Sequence, residues 1–189
     1  MSTTSSRPFG PSALATPANA LTMARLALTP VWLLVVVERG PSWPAFLLGF
    51  VLAGTDGVDG WLARKQGTTR SGAFLDPLAD KFLVIGGLWA LVVQGAFWWL
   101  PALLVTAREL VISVFRSVMG RQGVSIPARQ WAKVKTVVQD LAMGVALLPL
   151  TDSLDGLAKA VLWVAVVLTL VTGAQYLLDG RKAAAASAV

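Results

Sequence analysis

The sequence contains no cysteine and no histidine. Without cysteine there is no disulfide scaffold, no thiolate metal site and no thiol nucleophile. Without histidine, the side chain that ordinarily moves protons near neutral pH is missing, so acid–base work falls to carboxylates, lysines or water. A metal would then be held by oxygen, which favours magnesium, manganese or calcium over zinc. Charge is scarce as well. Asp, Glu, Lys and Arg make up 14% of the 189 residues, against about 25% in soluble domains.

What fills the space is apolar: 56% of the residues are hydrophobic and mean hydropathy is +0.68. A soluble core of this length could not hide that much apolar surface, so lipid is the expected solvent and one domain the expected content. The net charge of +6, from 16 Lys+Arg against 10 Asp+Glu, reads as membrane topology. A nucleic-acid role would need a solvated basic domain, and the sequence offers none.

Residues 1–18 are rich in Ser, Thr, Pro and Ala and read as a disordered tail, with a second tail at 181–189 and the membrane domain at 19–180. Arg25 inside the first apolar run, and the runs that follow it, argue against a cleaved signal peptide. Runs of spanning length recur near Leu21–Val37, Trp43–Ala63, Phe74–Gln94, Trp98–Met119, Trp131–Leu150 and Leu157–Leu178. Trp43, Trp98, Trp99 and Trp131 stand near their ends, as interfacial anchors do. The expectation is an all-α, polytopic bundle of six transmembrane helices. Arg64, Lys65 and Arg70 lie in the second connection, Arg116, Arg121, Arg129, Lys133 and Lys135 in or around the fourth, and Arg181 and Lys182 after the last run. The opposite loops carry little charge, so the positive-inside rule places both termini in the cytoplasm.

Two of the apolar runs are interrupted by acids. One ends Thr55-Asp56-Gly57-Val58-Asp59-Gly60-Trp61-Leu62-Ala63-Arg64, and the next begins Gly72-Ala73-Phe74-Leu75-Asp76-Pro77-Leu78-Ala79-Asp80-Lys81. On helices, spacings of three and four put each aspartate pair on one face. The helices are expected to be antiparallel neighbours. Asp56 and Asp80 would each lie roughly 12 Å from the loop end at the helical rise, so the pairs would meet at matched depth. An aspartate at the centre of a span costs about 2.5–3.5 kcal/mol, and four crowded together repel one another. A bound dication answers both objections. Taken singly, each could cap a helix or face interfacial water; four at this spacing point to a metal site. Gly57, Gly60 and Gly72 would let a bulky ligand approach the backbone, although small residues also serve helix packing.

This arrangement resembles the CDP-alcohol phosphotransferase family, whose pattern is D-x-x-D-G-x-x-A-R, about eight residues, then G-x-x-x-D-x-x-x-D. Asp56, Asp59, Gly60, Ala63, Arg64, Gly72, Asp76 and Asp80 match in order, with seven residues, Lys65 to Ser71, in the gap. Further segments look like those of the phosphatidylglycerophosphate synthase branch. They are Asn19-Ala20-Leu21-Thr22-Met23-Ala24-Arg25-Leu26 with Pro30, Arg108-Glu109 with Ile112, Ser113 and Arg116, Lys133-Val134-Lys135-Thr136 with Gln139, and Thr172-Gly173 with Tyr176-Leu177.

The resemblance implies a CDP-linked lipid donor, an alcohol acceptor and release of CMP. For the nearest branch these are CDP-diacylglycerol and glycerol 3-phosphate, in a bacterial-type cell membrane with the site facing the cytoplasm. It also implies that Asp56, Asp59, Asp76 and Asp80 hold two magnesium or manganese ions, with Asp80 as general base, and that Gly60, Ala63, Arg64 and Gly72 contact the CDP portion. Members are commonly dimers, which implies a homodimer among membrane lipids. Arg108 and Arg116 share a helix face, and with Lys133 and Lys135 they are expected to hold the acceptor's phosphate. Glu109, beside Arg108, falls elsewhere on the helix surface, which predicts a separate polar partner. Asn19, Thr22, Arg25, Thr55, Lys81 and Gln139 complete the candidate set. A cardiolipin synthase or phosphatidylinositol-phosphate synthase is the alternative within the family. A cation carrier is the alternative outside it, but its acids would be spread along the path, whereas these cluster at one end.

Overall fold

The computed structural model describes residues 16–66, 70–121, 131–150 and 154–187, and leaves out the side chains of 56, 58–66, 70, 71, 73, 74, 131–133 and 184–187. Among the described residues the chain forms six helices and no strand: α1 (Pro17–Arg39), α2 (Trp43–Gln66), α3 (Arg70–Val93), α4 (Trp99–Arg121), α5 (Trp131–Leu147) and α6 (Asp155–Ser187). The all-α expectation holds, and each helix falls on one of the apolar runs. Two of them, Pro17–Arg39 and Asp155–Ala183, are long and apolar enough on composition alone to cross a membrane.

The ends differ from the sequence reading. Residues 1–15 of the expected N-terminal tail lie outside the described residues, but α1 already begins at Pro17. The Thr16 hydroxyl caps it, accepting from the Asn19 backbone N–H at 3.1 Å, and proline suits the first turn because its missing N–H is not needed there. At the other end α6 runs on to Ser187, through the span read as a tail. The run of four alanines after Lys182 contains no breaker, and alanine is the strongest helix former.

Successive helices alternate in direction. The Ser42 N–H, between α1 and α2, donates to the Leu147 carbonyl at the end of α5 at 3.0 Å. The Gln94 amide, after α3, donates to the Val37 carbonyl near the end of α1. The α1–α2 and α3–α4 connections thus share one end of the bundle with the end of α5. Gly40 stops α1 there with φ of 63°, a left-handed conformation that glycine adopts at no steric cost.

The bundle is inverted relative to a water-soluble fold. Leu34, Phe50, Val93, Val114 and Val137 are exposed, whereas Arg25, Gln139 and Thr169 are buried. So many outward apolar side chains on several helices require an apolar surrounding. The interior is knit around Trp32, which is 2% exposed and donates its indole N–H to the Ala45 carbonyl at 2.9 Å. The ring fits because two facing residues have no side chain. A Cβ at Gly49 would stand 2.8 Å from Trp32 Nε1, and one at Gly87 2.6 Å from Trp32 Cη2 and 2.8 Å from Met143 Sδ. One side chain therefore locks α1 to α2 and α3, with α5 behind it.

Candidate functional site

The buried stripe of α1 changes character along its length. Asn19, Thr22, Arg25 and Thr29 line its first half, Trp32 and Val36 its second. The spacing of three and four keeps all six on one face. α1 packs against both α2 and α3, more extensively than those two pack on each other among the described contacts. α2 and α3 also touch directly among the described contacts, and the polar half of α1 reaches Asp76 on α3.

Asp76 and Asp80 are one turn apart on α3, both half-buried, with Ala79 fully buried beside them. The Thr22 hydroxyl donates to Asp76 Oδ1 at 2.8 Å. That bond orients the carboxylate and leaves Oδ2 for a ligand. Asp56 and Asp59 lie on α2, as do Gly60, Ala63 and Arg64. Apart from the backbone, these five fall outside the described residues, so the expected meeting of four carboxylates does too. Among the described residues no three acidic side chains surround one point. Gly72 is buried near the start of α3, and Thr55 is half-buried with its hydroxyl on the Leu52 carbonyl at 2.7 Å. The donors fit a hard cation: carboxylate oxygens on α3, one of them held by a hydroxyl, in a chain without cysteine or histidine.

A second polar group joins α4, α5 and α6. Arg108 Nη1 lies 2.9 Å from Glu109 Oε1, and Lys135 Nζ bonds the same oxygen. All three side chains are about nine-tenths buried. Arg108 Nε donates to the Thr169 carbonyl at 3.1 Å and Nη2 to the Thr172 hydroxyl at 3.3 Å. Gln139, one turn beyond Lys135, donates to the Thr169 hydroxyl at 2.8 Å.

The separate polar partner expected for Glu109 is Lys135 on α5; Arg108, its neighbour in sequence, bonds the same oxygen. Arg116 is exposed near the end of α4, and no described contact joins it to Arg108, which is buried against α6. The side chain of Lys133 lies outside the described residues. The sequence reading did not single out Thr169 and Thr172 as site residues. Their spacing of three inside an apolar run was the available signal, since a polar pair on one face in lipid needs a partner.

Between α2 and α5 runs an apolar groove of about 420 Å³, lined by Phe46, Phe50, Ala53, Leu141 and Leu148 with Trp32 at its base. Asp140 is its one charged lining residue.

The model of the CDP-alcohol phosphatidyltransferase family matches residues 15–171. A probable phosphatidylglycerophosphate synthase of Mycobacterium tuberculosis is 40% identical over 177 residues, covering 88% of this chain and 82% of its own. The CDP-diacylglycerol–glycerol-3-phosphate 3-phosphatidyltransferase of Haemophilus influenzae is 38% identical over 165 residues, covering 83% and 89%. The enzyme of the same name from Sodalis glossinidius is 41% identical over 170 residues, covering 85% and 92%. The match spans all six helices, including the aspartates of α2 and α3, and the chain belongs to the CDP-alcohol phosphatidyltransferase family.

Proposed function

We propose that this enzyme transfers the phosphatidyl group of CDP-diacylglycerol to glycerol 3-phosphate, giving phosphatidylglycerophosphate and CMP. The observation that carries this reading is the Arg108–Glu109–Lys135 group, buried where α4, α5 and α6 meet. It holds two cations against one anion, a balance that favours an acceptor bearing its own phosphate. The names of the relatives supply the same reaction.

In this reading Asp56, Asp59, Asp76 and Asp80 hold two magnesium or manganese ions. When bound, these neutralise the donor's diphosphate and stabilise the departing CMP. Thr22 keeps Asp76 facing the ions. Asp80 accepts the proton of the acceptor hydroxyl as that oxygen bonds to the phosphatidyl phosphorus and the P–O bond to CMP breaks. With no histidine in the chain, a carboxylate is the base available. Gly60, Ala63, Arg64 and Gly72 receive the CMP portion, and Arg108, Lys133 and Lys135, with Arg116 at the rim, draw in the acceptor phosphate. The apolar groove beside Trp32 suits an acyl chain of the donor. Positioning and charge stabilisation supply most of the acceleration in such transfers.

All six helices span a bacterial cell membrane, with both termini and the site on the cytoplasmic side, and the chain works as a homodimer. The outward apolar faces and the positive charge at one set of connections support the topology; the family resemblance supports the dimer.

The test is purified enzyme with CDP-diacylglycerol, magnesium and a panel of acceptors. Glycerol 3-phosphate should yield lipid product, and Asp80→Asn should abolish it. Product from phosphatidylglycerol or inositol phosphate instead would reassign the acceptor within the family.

A further inference from the structure

The Arg108 guanidinium is held from two helices. Its Nε meets the Thr169 carbonyl, Nη2 the Thr172 hydroxyl and Nη1 the Glu109 carboxylate. An arginine fork carries more N–H donors than these three bonds use. The remainder meet no partner among the described contacts and suit an anion.

The approach to α6 depends on a missing side chain. In a helix a side chain leans toward the N-terminus and covers the turn before it, so a side chain at 173 would lie over the Thr169 carbonyl. A Cβ there would stand 3.0 Å from Arg108 Nε and 3.1 Å from its Cγ. Gly173 therefore opens the carbonyl that Arg108 uses. The Thr172 hydroxyl, beside it, donates to the Leu168 carbonyl at 2.7 Å and so presents its lone pairs to the guanidinium. Gln139 holds Thr169 from α5, and Lys135, one turn earlier on α5, returns to Glu109. The bonds close a ring through three helices: Lys135 to Glu109, Glu109 to Arg108, Arg108 to Thr169, Thr169 to Gln139.

We infer that Glu109, Thr172 and Gly173 are positioning residues for the acceptor: they hold Arg108 and Lys135 in one geometry so that both cations address a single phosphate. This rests on the functional reading above and adds to it a role for α6, which contributes no charge of its own to the group. Among the described contacts the ring sets two cations against one carboxylate, a balance that in a low-dielectric interior favours a bound anion.

Kinetics on purified enzyme, with each substrate varied in turn, test the inference. Gly173→Ala should raise the KM for glycerol 3-phosphate roughly tenfold, the loss expected for one charge-assisted hydrogen bond. The KM for CDP-diacylglycerol and the saturated rate should stay within about twofold. Alanine's helix preference over glycine offsets part of the lost bond, and a cooperative melt in detergent shows that the variant is folded. Thr172→Val should shift the acceptor KM in the same direction, and Thr172→Ser, which restores the hydroxyl, should return it. Glu109→Gln gives a sign. If Glu109 only offset charge, its loss would make the site more positive and lower the acceptor KM; if it positions the cations, the KM rises. An unmoved acceptor KM in Gly173→Ala and Thr172→Val, or a fall in Glu109→Gln, overturns the positioning role. Wild-type enzyme that makes no product from glycerol 3-phosphate overturns the functional reading instead, so the two fail separately.

Discussion

The Thr22 hydroxyl on α1 donates 2.8 Å to Asp76 Oδ1 on α3, joining residues 54 positions apart within the polar half of the α1 face. The bond fixes the carboxylate's rotation before any cation arrives. Thr22→Val keeps the shape and removes the donor. A hydrogen bond to a charged group contributes about 1.5–3 kcal/mol. The magnesium concentration for half-maximal activity should therefore rise at least tenfold, and Thr22→Ser should restore it. An unchanged magnesium titration in Thr22→Val would remove Thr22 from the site.

Trp32 sets a second expectation. Gly87→Ala places a methyl 2.6 Å from the indole edge and 2.8 Å from Met143 Sδ, contacts that neither ring nor neighbour can relieve without moving a helix. Overpacking of this kind costs about 1–3 kcal/mol, which thermal unfolding in detergent would register. Gly120→Ala meets nothing within 4 Å and should leave the melting temperature unchanged or slightly raised.

The two kinds of ion pair in the bundle should behave differently. Lys159 and Asp155 lie one turn apart at the start of α6, with side chains 50% and 52% exposed. Water screens such a pair, and Lys159→Ala should cost less than about 0.5 kcal/mol. Removing Lys135 leaves the buried Glu109 carboxylate with Arg108 as its remaining described partner, and Lys135→Met should cost several times more. Equal losses in the two melting curves would contradict this contrast.

Topology can be read directly because the chain has no cysteine of its own. Trp98→Cys, at an exposed position before α4, should react with a membrane-impermeant maleimide in intact cells. Arg181→Cys, exposed near the end of α6, should react only after the membrane is opened. Labelling of both in intact cells would refute the proposed orientation.

The helices were legible in the sequence because bilayer thickness imposes a length on each apolar run, and Trp43, Trp99 and Trp131 stand at the starts of α2, α4 and α5. The ends were less so. The sequence reading took the alanine run after Lys182 for a tail on account of its position, whereas its propensity is helical. Mutual orientation was least visible. Helices that are apolar on most faces carry little signal for which face turns inward. Hence Thr169 and Thr172 were visible as polar residues, but not that their face meets Arg108. Helical geometry predicts a partner for Glu109 away from Arg108, and Lys135 is that partner; the added bond to Arg108 is not legible, because a flexible side chain can reach a neighbour that the backbone turns away. The α3 aspartates stood out for the opposite reason, since ionised groups in lipid have few roles besides holding a ligand.

The indole of Trp32 has a mechanical consequence. With Ala45 and Gly49 on one side and Gly87 on the other, turning α1, α2 or α3 about its own axis drives backbone atoms into the ring. That half of the molecule behaves as a rigid mount, and the carboxylates of α3 keep their bearing as substrates come and go. The α4–α6 half is joined by apolar packing and by the ring of Arg108, Glu109, Lys135, Gln139 and Thr169. The fold thus braces its carboxylates by steric fit and its cations by directed bonds.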